Sequence, residues 1–377
     1  MQLMVKGRIL KIALVQDWFV VNGGAEKIVR ALIDLYPTID VFGLVDFLDD
    51  KDRLDILNGK QTKTSFIQHL PFSKRSYRNY LPLFPLAISS LNLSEYDVII
   101  SSSYAVAKGV KKRKHQIHIC YCHSPIRYAW DLQEEYMQHI GGLKRLLAKL
   151  TLSYIRYWDT HSNQGVDVFI ANSFNIAGRI ARIYKRDALV IYPPVDLSSF
   201  APKINKMPFY FTSARLVAYK KIDLIIATFN ELPHLNLVVS GDGPELAHLK
   251  MLAKKNITFT GYLEKEKLVE KMQQAKAFIL AAEEDFGITS LEAQACNTPV
   301  IAYRKGGYLE TVIEGKTGVF FDEQTVTSLK KCIIEFEESS PTFQSHDFAS
   351  HVASFSTERF KAEMHNIVLK YVQKENS

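Results

Sequence analysis

Two doubly wound α/β domains, each a parallel sheet with crossover helices, form the fold class this sequence predicts. Three observations lead there. The chain has 377 residues, 47% of them hydrophobic, enough for two cores of typical size and too apolar for disorder. Short β-branched runs alternate with helical patterns. After one proline-stiffened joint the alternation begins again.

Lys11–Val15 reads as the first strand, followed by a helix over Ala25–Leu35. Val98–Ser101, Ile117–Tyr121 and Val168–Ala171 are further strands, with a helix near Tyr184 and a strand over Leu189–Tyr192. The joint is Tyr192-Pro193-Pro194-Val195-Asp196. Beyond it, Phe209–Ser213, Asn236–Ser240, Thr258–Thr260, Ala277–Leu280 and Pro299–Ala302 read as a second set of strands. Apolar residues at helical spacing from Phe355 to Lys374 mark a closing helix. The expected division is therefore 1–195, 196–354, and a terminal segment 355–377 packing back on the first domain. Sheets of this kind bind ligands beyond the carboxyl ends of their strands, so function is expected in a cleft where the two domains face each other.

Composition narrows the classes. No apolar run reaches the ~18 residues of a membrane span, and Met1 to Leu10 lacks a signal-peptide core, so a cytoplasmic location is expected. Four scattered cysteines, Cys120, Cys122, Cys296 and Cys332, make no disulfide framework, and Cys120-Tyr121-Cys122-His123 lacks the second ligand pair that zinc needs. Residues 1 to 200 carry 26 Lys and Arg against 18 Asp and Glu, so the formal charge of +7 sits in the first half. That asymmetry fits either a phosphate-bearing or membrane-surface partner or a solvated basic face. No nucleic-acid module is visible.

The chemistry concentrates in a few places. Strand Ala277–Leu280 runs into the acidic turn Glu283-Glu284-Asp285, then Phe286-Gly287-Ile288, then a helix over Thr289–Cys296. Gly287 permits close backbone approach, and amides at a helix start suit a diphosphate. Glu292, one turn into that helix, can accept from vicinal ribose hydroxyls, and Glu284 can meet a sugar hydroxyl; a solvated acidic loop is the alternative. Arg215 and Lys220, after the first strand of the second half, offer a fork and a point charge that could neutralise two phosphates in place of a metal, or simply lie exposed. Gly241-Asp242-Gly243-Pro244 is a supporting turn. In the first half, Asn22-Gly23-Gly24-Ala25-Glu26 places two glycines before a helix, where amides can reach a phosphate. This pair lacks the G-x-G-x-x-G spacing of a dehydrogenase. His123 stands at a strand end amid aromatic and basic neighbours, positioned to meet a sugar or acceptor or to serve structurally.

Across nearly its whole length the chain resembles the family 4 retaining glycosyltransferases of the GT-B fold. Glu284 and Glu292 reproduce an E-x7-E signature, and Arg215-Leu216 with Lys220 an R-L-x3-K element. Asn172-Ser173, Pro193-Pro194-Val195-Asp196, Gly241-x-Gly243-Pro244 and Thr317-Gly318 follow the family's order. The resemblance implies Arg215 and Lys220 on the diphosphate, Glu292 on the ribose, and Glu284 with the Phe286, Gly287 and Ile288 backbone on the donor sugar. It places Gly23 and Gly24 toward the phosphates and His123 toward the sugar. It also implies no bound metal or other cofactor, so the acidic cluster Asp46 to Asp52 is read as a solvated loop. Ala214, Lys221 and Asn297 depart from the pattern, standing where glycines are usual.

Residues 283–289 and 121–128 narrow the resemblance to bacterial mannosyltransferases that build O-antigen and related polysaccharides from GDP-mannose. The implied acceptor is a polyprenyl-diphosphate-linked saccharide at the cytoplasmic face of the inner membrane. Residues 74–80 and 111–114 are then candidate contacts to anionic lipid. Leu143 to Trp158 reads either as an interfacial helix or as a core-packed helix with a basic edge. Rival readings keep the fold with a UDP-sugar donor or an epimerase or phosphorylase reaction, or make the chain a basic nucleic-acid binder.

Overall fold

The computed structural model describes all residues except 1, 2, 6, 7, 132, 134–136, 138–140, 197–199, 204, 340, 341, 376 and 377. The chain divides into two compact units: Met1–Pro194 with Thr357–Ser377, and Val195–Ser356.

In the first unit a small antiparallel hairpin, β1 (Met4–Val5) and β2 (Arg8–Ile9), precedes a seven-stranded sheet. Its strands are β3 (Ile12–Gln16), β4 (Asp40–Gly43), β5 (Thr62–Thr64), β6 (Val98–Ser103), β7 (Ile117–Cys122), β8 (Val168–Ala171) and β9 (Ala188–Val190). They lie in the order β5-β4-β3-β6-β7-β8-β9, every pairing parallel. Every residue of β3, β6 and β7 is buried, as expected of strands covered on both faces. Alternation sorts their side chains: Leu14, Ile100 and Ile119 join one core with Ile28 and Leu32 of the Gly24–Leu35 helix, while Ala13, Val15 and Ile99 join another with Phe84, Leu152 and Ile155. Phe360, Met364, Val368 and Val372 of the terminal Thr357–Glu375 helix complete the first of these cores. Arg359 donates to the Tyr192 carbonyl at 2.6 Å and fixes that helix's entry.

The second unit holds a six-stranded parallel sheet of β10 (Phe209–Ser213), β11 (Asn236–Ser240), β12 (Ile257–Gly261), β13 (Ala277–Leu280), β14 (Val300–Tyr303) and β15 (Gly318–Phe321), ordered β12-β11-β10-β13-β14-β15. In each sheet the strand order reverses beside one pair, β3 with β6 and β10 with β13. At such switch points the loops diverge and leave room for ligands at the carboxyl ends.

The sequence reading did not include β4, β5 and β15, and it treated Asp46 to Asp52 as a loop. In the structure Asp49 accepts the Asp52 amide at 2.8 Å and caps an Asp50–Leu57 helix, and Asp46 receives a two-pronged bond from Arg53 at 2.7 and 3.0 Å. Of the four aspartates within these seven residues, Asp49, Asp50 and Asp52 therefore serve a helix start, where acidic side chains meet the positive end of the dipole, and Asp46 holds Arg53 of that helix.

Candidate functional site

β10 and β13 are adjacent parallel strands, and the two motif-bearing loops of the second unit leave their carboxyl ends. The first loop carries Arg215, exposed and without an ion-pair partner among the described residues, and then Lys220 on a short 3-10 turn. The second carries Glu284. Lys220 and Glu284 meet in an ion pair, each side chain largely shielded from solvent. Glu284 is also held through its backbone, its carbonyl accepting the Gly307 amide at 2.8 Å. Beside it Glu283 pairs with Lys305 at 3.0 Å.

Phe286, 4% exposed, packs against Phe355 with ring centroids 5.8 Å apart and so anchors the loop. Gly287 then caps the Ile288–Ala295 helix in a left-handed conformation, φ +89°. A Cβ at this position would lie 2.6 Å from the Tyr308 ring, so both torsion and space demand glycine. Ile288 is half-buried and opens the helix, and Glu292 sits one turn further, buried. Ser290 Oγ lies 2.8 Å from the Gly287 carbonyl and 2.7 Å from the Thr311 hydroxyl, tying the helix start to the neighbouring turn.

The departures from glycine acquire a geometric meaning. Lys221 and Asn297 both adopt left-handed backbone, φ 56° and 57°. The turns that glycine usually makes are kept with side chains that tolerate them less readily. Gly241 and Gly243 answer a different demand: a Cβ there would lie 1.9 Å from the Ala214 carbonyl oxygen and 2.3 Å from that of Leu216. The turn after β11 thus presses directly on the Arg215 loop, with Leu216 N–H donating to Asp242 at 2.9 Å.

In the first unit the switch point lies between β3 and β6. Asp17, following β3 and fully buried, accepts four backbone N–H groups from the loop after β6: Tyr104 and Ala105 on one carboxylate oxygen, Val106 and Ala107 on the other, at 2.6 to 2.9 Å. Glu26, inside the helix that begins at Gly24, reaches back to the Gly23 amide at 3.1 Å, and Gln16 donates to it at 3.4 Å. Burial pushes the Glu26 carboxyl up to about 7 against these stabilising hydrogen bonds. Glu26 holds the Gly23 N–H, whereas among the described residues no carboxylate caps the Gly24 amide.

His123 follows β7. Its Nε2 lies 2.8 Å from the Ser102 hydroxyl, its carbonyl accepts Asn172 at 3.1 Å, and Tyr104 and Tyr121 stand edge-on to its ring. Desolvation pushes its pKa down to about 3, leaving a neutral imidazole at physiological pH, suited to hydrogen bonding rather than to charge pairing.

The sequence of the first unit, residues 23–199, matches the family described as Glycosyltransferase Family 4, and residues 196–350 match Glycosyl transferases group 1. The chain carries the two domains of a glycosyltransferase. A GDP-mannose-dependent alpha-(1-6)-phosphatidylinositol monomannoside mannosyltransferase from Mycolicibacterium smegmatis is 31% identical over 170 residues, 37% of this chain and 44% of that protein. A D-inositol 3-phosphate glycosyltransferase of the same organism is 27% identical over 218 residues, 50% of each chain. The chain thus spans about half the length, or less, of the curated relatives it matches. Among solved structures, Anabaena HepE in complex with UDP and glucose superposes with a TM-score of 0.69 at 18% identity, covering 95% of this chain and 99% of that one. Sucrose-phosphate synthase from Thermosynechococcus elongatus gives 0.73 at 18% identity over 97% and 100%. The chain has the GT-B fold, two Rossmann-like domains with seven- and six-stranded parallel sheets.

Three groups in these two domains escaped the sequence reading. Asp17 and Glu26 act on backbone amides, which no side-chain pattern announces, although Gly23-x-x-Glu26 has capping-box spacing. The third is a buried ion pair of Lys108 and Asp159, in which Asp159 also accepts Trp130 at 2.8 Å and Tyr184 at 3.0 Å. Lys108 donates to the Ala105 carbonyl at 2.9 Å and so braces the loop that Asp17 binds.

Proposed function

We propose that this glycosyltransferase moves mannose from GDP-mannose, with retention, to a polyprenyl-diphosphate-linked saccharide in the building of an O-antigen or related polysaccharide, working at the cytoplasmic face of the inner membrane. One observation carries the donor-site reading: Lys220 and Glu284, 64 residues apart in sequence, pair at the carboxyl ends of adjacent strands, beside an exposed Arg215. A leaving nucleoside diphosphate needs cations where its charge grows, and a sugar needs a carboxylate or amide acceptor close by. Both lie within one loop pair. The GDP-mannose-dependent relative supports the choice of donor.

In this reading the bond from the anomeric carbon to the diphosphate breaks, positive charge develops on the sugar ring, and the acceptor hydroxyl attacks from the same face. Arg215, Lys220 and the amides opening the Ile288–Ala295 helix neutralise the departing GDP, replacing a divalent metal. Lys220 exchanges Glu284 for phosphate, which frees the carboxylate for a sugar hydroxyl. Glu292 takes the ribose hydroxyls, and the Phe286 to Ile288 backbone lines the sugar. Gly24 offers its amide to a phosphate, and Gly23 does so only if Glu26 lets go. Neutral His123 hydrogen-bonds the transferred sugar.

A panel of labelled nucleotide sugars with a synthetic lipid-diphosphate-GlcNAc acceptor tests this. GDP-mannose is expected to be the donor used, with GDP released only when acceptor is present. Arg215→Ala and Lys220→Ala should each lower transfer by ~10²-fold or more while the fold persists. Preference for a UDP-sugar overturns the donor assignment, and near-normal turnover in either variant removes those residues from the site.

A further inference from the structure

The Gly142–Ser162 helix carries two apolar faces although its packing uses only one. At ~100° per residue, Ala148, Leu152 and Ile155 share the face that meets the first unit's core. Leu143, Leu146, Leu147, Leu150, Tyr154 and Tyr157 fall on the opposite face, between 46% and 71% exposed. An ordinary surface helix presents polar side chains there. From Gly142 to Trp158 there is no acidic residue, and Lys144 and Lys149 flank the exposed stripe on either side.

A neighbouring segment also carries exposed apolar and basic side chains. The 3-10 turn Tyr77–Leu83 packs against the same helix. Around it Phe72 is 80% and Leu86 61% exposed, Lys74, Arg75 and Arg78 face solvent, and residues 56 to 94 contain no Asp or Glu. Phe72 has φ +58°, a left-handed backbone that a bulky side chain rarely adopts, and the ring it turns outward gains no burial in return. Large exposed apolar side chains gathered on packed neighbouring elements mark an interaction site.

We propose that this face binds the surface of an anionic lipid bilayer, with the leucine stripe and Phe72 entering the boundary between head groups and acyl chains and the flanking lysines and arginines meeting anionic head groups. Charge decides the occupant. In a two-fold contact with a second copy the same patch would set its own cations against each other. No helix among the described residues is long and apolar enough to cross a membrane, so the contact is made at the surface by this face. The inference is independent of the identity of the donor sugar.

The full chain, sedimented with vesicles of phosphatidylcholine alone or mixed with phosphatidylglycerol, tests it. Binding is expected only with the anionic vesicles and should weaken as salt rises. Leu146→Glu/Leu150→Glu should lower partitioning by ~tenfold or more with an unchanged thermal transition, since both side chains are exposed, and Lys144→Glu/Lys149→Glu should remove the preference for anionic lipid. All four native cysteines are buried, so an environment-sensitive dye on a Leu147→Cys variant reports that position alone, and its emission should shift to the blue with anionic vesicles. Failure of the unaltered chain to bind, or equal partitioning of the Leu146→Glu/Leu150→Glu variant, overturns the proposal. A blue shift that grows with protein concentration in the absence of lipid would assign the face to a second copy and overturn it as well.

Discussion

Replacing Glu26 by Gln should flatten part of the stability profile between pH 4.5 and 7. The folded-state carboxyl is raised by burial from 4.5 to about 7, so across this window the native chain retains a proton that the unfolded chain has released. Stability from this group is complete below pH 4.5 and is lost as pH rises through 7. At ~1.4 kcal/mol per pH unit the loss amounts to about 3 kcal/mol. Gln keeps an oxygen for the Gly23 amide and has no proton to lose. Buried His118 and His123, with pKa values pushed down to about 4 and about 3, impose the opposite trend, losing stability as pH falls below about 6.5. The informative quantity is therefore the difference between wild type and Glu26→Gln, measured by urea unfolding at several pH values. The Gln variant should gain relative stability steadily from pH 4.5 to 7. A difference that stays constant within ~0.5 kcal/mol over that range would refute a buried carboxyl titrating there.

Three further outcomes are expected. Lys108→Met leaves Asp159 buried and uncompensated and should cost ~3–5 kcal/mol by denaturant unfolding, much of it recovered in Lys108→Met/Asp159→Leu. Asp17→Asn offers one carbonyl oxygen to four amides; two lose their acceptor, and at ~1–3 kcal/mol each the midpoint should fall by the equivalent of ~2–6 kcal/mol. Gly287→Ala forces a left-handed Ala against the Tyr308 ring; beyond the ~1–2 kcal/mol torsional cost, calorimetric titration should show weakened binding of GDP-mannose.

The central strands were readable because β3, β6, β7 and β13 are wholly buried and rich in apolar residues, with Gln16, Ser101 to Ser103 and His118 as their polar members. β5 was not readable: Thr62-Lys63-Thr64 is a three-residue edge strand whose polar residues protect an exposed edge, and nothing in its composition separates it from a loop. The loop from Glu283 to Ile288 stood out because a strand, an acidic turn and a glycine before a helix occur within a dozen residues. The contact between Lys220 and Glu284 was not, since it depends on β10 and β13 becoming neighbours in the sheet. The same holds for Asp17, whose partners are amides nearly 90 residues away with no side-chain signature.

The terminal Thr357–Glu375 helix has a consequence for biosynthesis. Its Phe360, Met364, Val368 and Val372 belong to a core begun by residues 12 to 57, so that core lacks one wall until residues 357–375 leave the ribosome. The second unit is continuous in sequence and is released in full earlier. Domains fold as units during synthesis. Here the first unit to begin translation is the later of the two to be completed, and a chain stopped before Thr357 would present an open apolar trough to chaperones rather than a shortened folded protein.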